Sequence, residues 1–406
     1  MIMLSGLSPR LVAALSLCVV VPACRCEELR PVQPDRGAVD LAAKKPDSRR
    51  PDARPATPPP STPTGKRRPL TLPCEPPMKV AAGDLDGTGG PEIVVACDDA
   101  LLVLDGKGQV RARTAAEGWP QVLLVADLSG TGKAEVLAGW GTSRKRLKAT
   151  ARLLRYRVQG KTIKSSLVLE PTTTRAQFAD IALERAGKDW SVLLAHFTSK
   201  YMVRHVRLRP GDKTEELGRW RMAMSLAPAS VPAPGGLLVG RLYGDALGLD
   251  GDAFVWQGGK KLPIPTARGV GAVAAADLDG DGTPELMVCD GWAQRYAAEG
   301  RALLTQAVWD GKAFTTRRLL ELSGEYAINK VQAVDEDGDG KLELLVRGSA
   351  TLQLFRRQAG TWQASLLARN VGDAVAADLD GDGRAEVVLV GQEAAIISLE
   401  APPTRP

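Results

Sequence analysis

Asp378-Leu-Asp-Gly-Asp-Gly-Arg-Ala-Glu386 lies between two short apolar runs, Val375-Ala-Ala377 and Val387-Val-Leu-Val390. It reads as a strand, a tight acidic loop and a second strand. The pattern recurs at Asp277-Leu-Asp-Gly-Asp-Gly-Thr-Pro-Glu285 and at Asp335-Glu-Asp-Gly-Asp-Gly-Lys-Leu-Glu343. Weaker copies stand at Asp84-Leu-Asp-Gly-Thr-Gly-Gly-Pro-Glu92 and Asp127-Leu-Ser-Gly-Thr-Gly-Lys-Ala-Glu135. One such unit cannot bury its own apolar face, so the repeat implies stacked units in a propeller or solenoid.

Spacing counts the units. The first aspartates are 43 residues apart from Asp84 to Asp127, 58 from Asp277 to Asp335 and 43 from Asp335 to Asp378. The 150 residues from Asp127 to Asp277 leave room for two units that have lost most of their acids. Phe178-Ala-Asp-Ile-Ala-Leu-Glu184 with Trp190-Ser-Val-Leu-Leu-Ala195 is one, and Leu237-Leu-Val-Gly-Arg-Leu-Tyr-Gly-Asp245 the other. Each unit but the last also holds a later turn signal: Asp105-Gly106, Gln159-Gly160, Pro210-Gly211, Gly258-Gly259, Asp310-Gly311 and Ala359-Gly360. Alternating stretches such as Leu154-Arg-Tyr-Arg-Val158 flank these turns, as in hairpins. The expected fold is therefore all-β: a seven-bladed β-propeller with four-stranded blades. The last unit ends one strand short, after Ala395-Ile-Ile-Ser-Leu399, and Pro69-Leu-Thr-Leu72 is the candidate N-terminal strand that closes the ring.

The acidic loops have the chemistry of a hard cation. Calcium takes about 6–8 oxygen ligands, and carboxylates at loop positions 1, 3 and 5 converge when glycine at position 6 permits a sharp turn. Asp277, Asp279 and Asp281, then Asp335, Asp337 and Asp339, then Asp378, Asp380 and Asp382 fill those positions in the three full copies. Glu285, Glu343 and Glu386 at position 9 can complete the shell. An EF-hand would carry its glutamate at position 12 and run on into a helix, so this is a different site. The bland alternative is a set of Asp-Gly hairpin turns; the mutual repulsion of crowded acids argues against it. Asp84, Asp86, Thr88 and Glu92 form a possible fourth calcium site. The second copy, with Ser129 and Thr131, reads as a bare turn.

These Asp-x-Asp-x-Asp-Gly-x-x-Glu repeats resemble the FG-GAP/VCBS repeats of integrin-α-type seven-bladed propellers, over residues 69–406. The resemblance implies calcium in the loops between strands 1 and 2, on one face. It implies no particular reaction, since the family includes adhesion modules, carbohydrate-associated proteins and a few lyases.

The front of the chain is of another kind. Residues 1–23 read as a secretory signal, with Arg10, an apolar core from Leu11 to Val21 and a Val21-Pro-Ala23 cleavage site. Cys24 follows as in a bacterial lipobox, which predicts lipidation there and anchorage to the envelope; simple cleavage before Cys24, giving a periplasmic or secreted protein, is the alternative. Residues 24–68 are rich in Pro, Arg, Ala and Asp and predict a disordered tether. This tether carries 11 Lys/Arg against 6 Asp/Glu, and Arg10 adds one more charge to the chain's +6. The propeller itself is thus close to neutral, so the basic balance argues for a tether touching anionic lipid or envelope polymer rather than for a nucleic-acid partner. The acid-free stretch Arg144 to Lys164 is expected to be outer strands with solvated charges. A Cys74–Cys97 disulfide would pin the closing strand; otherwise Cys97 and Cys289 are buried thiols.

Two histidines, His196 and His205, form no recognisable catalytic set, and His205 is expected on a strand surface. On the face opposite the acidic loops fall Trp119, Trp140, His196 with Phe197, Trp292 with Tyr296, and Tyr326. Such rings either pack between blades or stack on sugars and peptide side chains. The sequence therefore predicts a monomeric, non-catalytic, calcium-stabilised binding or adhesion module for a polysaccharide or protein. A polysaccharide-active, lyase-like enzyme on the same scaffold is the alternative.

Overall fold

A computed structural model describes residues 65–399, apart from 75–78, 117, 142–149, 172–176, 187–188, 200, 245–250, 267–268, 293–300, 324 and 359. The signal segment, Cys24, nearly all of the tether and Tyr296 lie outside the described residues.

The described residues form seven sheets, each of four antiparallel strands joined in chain order. The first strands are Lys79–Gly83, Trp119–Ala126, Phe178–Ala186, Ala223–Ala229, Gly269–Ala276, Ile328–Val334 and Val371–Ala377. Each lies beside the first strand of the next blade, and the last returns to the first, so the ring closes. Their small residues follow from this crowding: a Cβ on Gly83 would stand 2.5 Å from Cγ1 of Val125 in the neighbouring blade. Second and third strands are wholly buried in blade 1, over Glu92–Ala96 and Ala100–Leu104. The buried apolar side chains fall into seven clusters, each sandwiched between two neighbouring blades. All the anticipated hairpin tips lie at or beside the turns between third and fourth strands.

The N-terminal closing strand is Lys66–Pro69, paired antiparallel with Ala395–Ser398 in the register Lys66↔Ser398 to Pro69↔Ala395. It begins three residues ahead of Pro69-Leu-Thr-Leu72, within the stretch read as tether. The physical reason is the edge: exposed Lys66, Arg67 and Arg68 and the terminal proline suit an outermost strand that must not recruit another chain. Leu70 and Leu72 instead turn inward against the core between blades 7 and 1. Cys74 is disulfide-bonded to Cys97, with the Cα atoms 6.2 Å apart, which ties this segment to the end of blade 1's second strand. Cys289 is a buried free thiol.

Two local readings are corrected. Residues Leu237 to Arg241 of the stretch read as blade 4's unit lie in its second strand, Gly236–Arg241; the first strand is Ala223–Ala229, and Asp245 lies outside the described residues. His205 is fully buried rather than on a surface. It pairs with Gly218, and a side chain there would collide with the Trp220 ring, which instead covers His205 at 4.9 Å between centroids.

Six of the seven first strands carry a register slip near their start, at Gln121, Ala179, Met224, Gly271, Asn329 and Gly372. Such bulges re-aim side chains. Here they turn polar groups sideways onto the next blade's backbone. Gln121 accepts from Phe178 N at 2.8 Å, Asp180 from Leu226 N at 2.9 Å, Ser225 from Val273 N at 2.9 Å and Asp373 from Val80 N at 3.2 Å. The last of these links blade 7 to blade 1 across the closure.

Candidate metal centre

The loop between strands 1 and 2 is built the same way in every acidic copy. Asp277 Oδ1 accepts from Gly280 N at 2.8 Å, and its Oδ2 from Gly282 N at 2.8 Å. Asp335 and Asp378 hold Gly338 with Gly340, and Gly381 with Gly383, by equivalent bonds. Both glycines of each pair have positive φ, for example 77° at Gly280 and 87° at Gly282, which a side chain would strain. The position-9 glutamate folds back to accept the position-2 N–H: Glu285 from Leu278, Glu343 from Glu336, Glu386 from Leu379, and Glu92 from Leu85. The first aspartate and the glutamate are thereby fixed before any ion arrives.

Calcium–oxygen bonds of about 2.3–2.6 Å put any two ligand oxygens at most about 5 Å apart. Four loops satisfy this, with three carboxylates offering oxygens within 4.8 Å of one another: Asp84, Asp86 and Glu92; Asp277, Asp279 and Glu285; Asp335, Asp337 and Asp339; Asp378, Asp380 and Glu386. At position 5, Asp281 and Asp382 accept the Thr283 and Arg384 N–H groups at 2.7 and 2.9 Å. The N–H of Thr88 donates to Asp84 and Asp86, as that of Asp281 does to Asp277 and Asp279, but Thr88 brings no carboxylate.

The donor set fits a hard cation. Burial pushes the Glu343 carboxyl up to about 7, and the neighbouring charges of Asp337, Glu336 and Asp339 add to this. Burial and the adjacent aspartates likewise raise Glu285 and Glu386. Opposite charge placed among these groups would relieve both effects.

Blade 2 solves the same problem with arginine. Glu135, at position 9, is paired with Arg157 Nε at 2.5 Å and Arg155 Nε at 3.5 Å, and Arg155 also reaches Asp212 at 2.5 Å. These charges in the basic stretch are partnered rather than merely solvated. Blade 1 is intermediate: Arg111 Nη1 stands 3.3 Å from both Asp86 Oδ2 and Glu92 Oε1 at the edge of its loop. In blade 6 the position-2 leucine of the other copies is replaced by Glu336, wholly buried and bonded to Arg356 Nε at 2.6 Å. A break in the repeat's own pattern was the signal for it.

The rings on the opposite face divide. Trp140, His196 and Phe197 are buried, with 2%, 3% and 8% exposure, and pack within the protein. Trp119 is half-buried and Tyr326 is exposed. Trp292 ends blade 5's second strand, and its side chain lies outside the described residues. Burial lowers His196 to about 4 and His205 to about 3, so both imidazoles are neutral at physiological pH.

Seven four-stranded blades, with acidic turns between the first and second strands of blades 1, 2, 5, 6 and 7, define a seven-bladed β-propeller built on an acidic-loop repeat. Residues 305–389, spanning the two acidic loops of blades 6 and 7, match the family model of the FG-GAP-like repeat. No curated protein matches the chain. Among solved structures it is similar to BBS1N in complex with ARL6DN, in a crystal soaked with lead. That match has a TM-score of 0.56 and 10% identity over 84% of this chain and 97% of the other. A mercury-soaked crystal of the same complex gives a TM-score of 0.57 at 11% identity, with the same coverage. At such identity the likeness concerns the fold.

Proposed function

We propose that this chain is a non-catalytic, calcium-stabilised binding module, exported and tethered to the bacterial envelope through Cys24, acting as a monomer on a polysaccharide or protein ligand. The observation that carries the reading is the set of convergent carboxylates in the loops of blades 5, 6 and 7. Calcium there would stiffen one face of the ring and leave the opposite face, with Trp119 and Tyr326, for recognition. The Cys74–Cys97 bridge supports an oxidising destination. Deep burial of both histidines favours binding over acid–base chemistry. A protein ligand has a precedent in the BBS1N propeller, whose structure is of a complex with ARL6DN. The test is to incubate the full chain with calcium on a panel of bacterial and plant polysaccharides and an envelope protein extract, reading retention and cleavage together. Retention without cleavage supports the proposal; cleavage would replace it with a lyase-like activity.

A further inference from the structure

The end of the propeller axis where the inner strands begin, opposite the acidic loops, collects five charged side chains. Lys79 opens the first strand of blade 1, Asp180 lies near the start of blade 3's, Lys330 of blade 6's and Asp373 of blade 7's. Arg347 joins them from the second strand of blade 6, directly opposite Lys330 in register. All four others act electrostatically on Lys79, including Asp180 two blades away, and Asp373 accepts from Val80 N, the residue next to it.

Both carboxylates are already committed. Asp373 Oδ1 accepts from Lys330 Nζ and Ala374 N, each at 2.9 Å, and its Oδ2 from Val80 N at 3.2 Å. Asp180 accepts from Ile181 N at 2.9 Å, Ser225 Oγ at 3.1 Å and Leu226 N at 2.9 Å. Lys330 also donates to Ala374 O at 2.8 Å. Among the described residues neither Lys79 nor Arg347 has a hydrogen-bonded partner, and Arg347 Nε is buried without one. A cation partly enclosed by protein and left unpaired is costly. Three cations face two carboxylates, an excess of one positive charge.

We propose that this axial end is a carboxylate-binding site, in which Lys79 and Arg347 together take one singly charged oxyanion. The guanidinium supplies a planar fork suited to a carboxylate, and the ammonium a second charge-assisted donor. One negative charge balances the cluster, whereas a phosphate dianion would meet the standing charges of Asp180 and Asp373. Burial, partly opposed by Asp373, holds both cations below their ordinary pKa, as expected for groups lacking a counter-ion. Both residues remain only partly buried, so a ligand can reach them from solvent. The carboxylate belongs to a free acid or to a uronic acid within a polymer. This site is independent of the metal loops and of the function proposed above.

Calorimetric titration of the full chain at constant ionic strength tests it, with glucuronate as free acid, hyaluronan as polymer, glucose as neutral control and phosphate as dianion. Glucuronate should bind saturably and glucose should not; tighter binding of hyaluronan per uronic acid would point to the polymer. Lys79→Met and Arg347→Met should each weaken glucuronate about tenfold or more, while Lys164→Ala on an outer strand should leave it unchanged. Lys79→Met should also melt no lower than the wild type without ligand, because it removes an unpaired, part-buried charge. Wild-type protein that binds neither glucuronate nor hyaluronan overturns the proposal without recourse to variants. Equal binding by Lys79→Met, or a preference for phosphate, would overturn it too.

Discussion

The ring has two arcs that handle buried negative charge differently. In blades 2 to 4 the carboxylates are paired within the chain: Glu135 with Arg155 and Arg157, Glu184 with both Nε and Nη2 of Arg207, and Asp252 with Arg241 and Lys261. In blades 5 to 7 the loop acids stand together, and their glutamates are pushed towards the protonated form. One arc carries its counter-charge covalently; the other has a donor set that fits an ion. The comparison teaches that the same nine-residue turn, in blade 2 and in blade 5, accommodates either arrangement, so its backbone geometry alone does not set the donor set. The third and fifth positions differ instead, with Asp279 and Asp281 in blade 5 where blade 2 has Ser129 and Thr131.

The largest expected effect comes from removing the ion. Three sites at calcium about a hundredfold above Kd contribute roughly 8 kcal/mol together. Chelation should therefore lower the melting temperature by on the order of 15 °C, reversibly on calcium return, as read by thermal denaturation. Protein that melts identically in chelator and calcium would erase the difference between the arcs.

The paired arc should fail differently. Arg207→Met leaves Glu184 half-enclosed without its fork and should cost about 3 kcal/mol, with no recovery at any calcium concentration. Recovery by calcium would mean that blade 3 has a latent metal site.

Without calcium the acidic arc should also respond to pH. The Glu343 carboxyl is raised above its unfolded value, so the stabilisation from holding its proton is complete below about pH 4.5 and is lost as pH rises through about 7. Up to about 3 kcal/mol is at stake, and Glu343→Gln should flatten this part of the stability–pH curve in chelator.

The smallest effect is expected in blade 1, which shares features of both arcs. Arg111→Ala removes a guanidinium that competes for Asp86 and Glu92, so the first loop should gain calcium affinity by about three- to tenfold. Terbium luminescence titration of the four loops would read this, and unchanged or weaker binding would show that Arg111 supports the loop instead.

Much of this was legible in the chain because it is local. The aspartates, their glycines and the back-folded glutamate lie within nine residues, and the hairpin turns recur at a steady distance behind them. Glu336 in a leucine's place and the arginines of Leu154-Arg-Tyr-Arg-Val158 were visible as residues, but their partners were not. His205 looked like a surface residue because alternation along a strand cannot reveal that Gly218 on the neighbouring strand makes room for Trp220.

By itself the sequence determined the all-β class, the seven units, the acidic turns and the use of an N-terminal strand, since each depends on residue type at short range. Tertiary structure alone decided the closing register at Lys66–Pro69, the Cys74–Cys97 pairing, the bulge-directed bonds between blades and the charged cluster around Lys79. Those join residues as far apart as Val80 and Asp373, which the closed ring brings to hydrogen-bond distance. No short stretch of sequence encodes such a contact, because its partner is chosen by the curvature of the whole assembly.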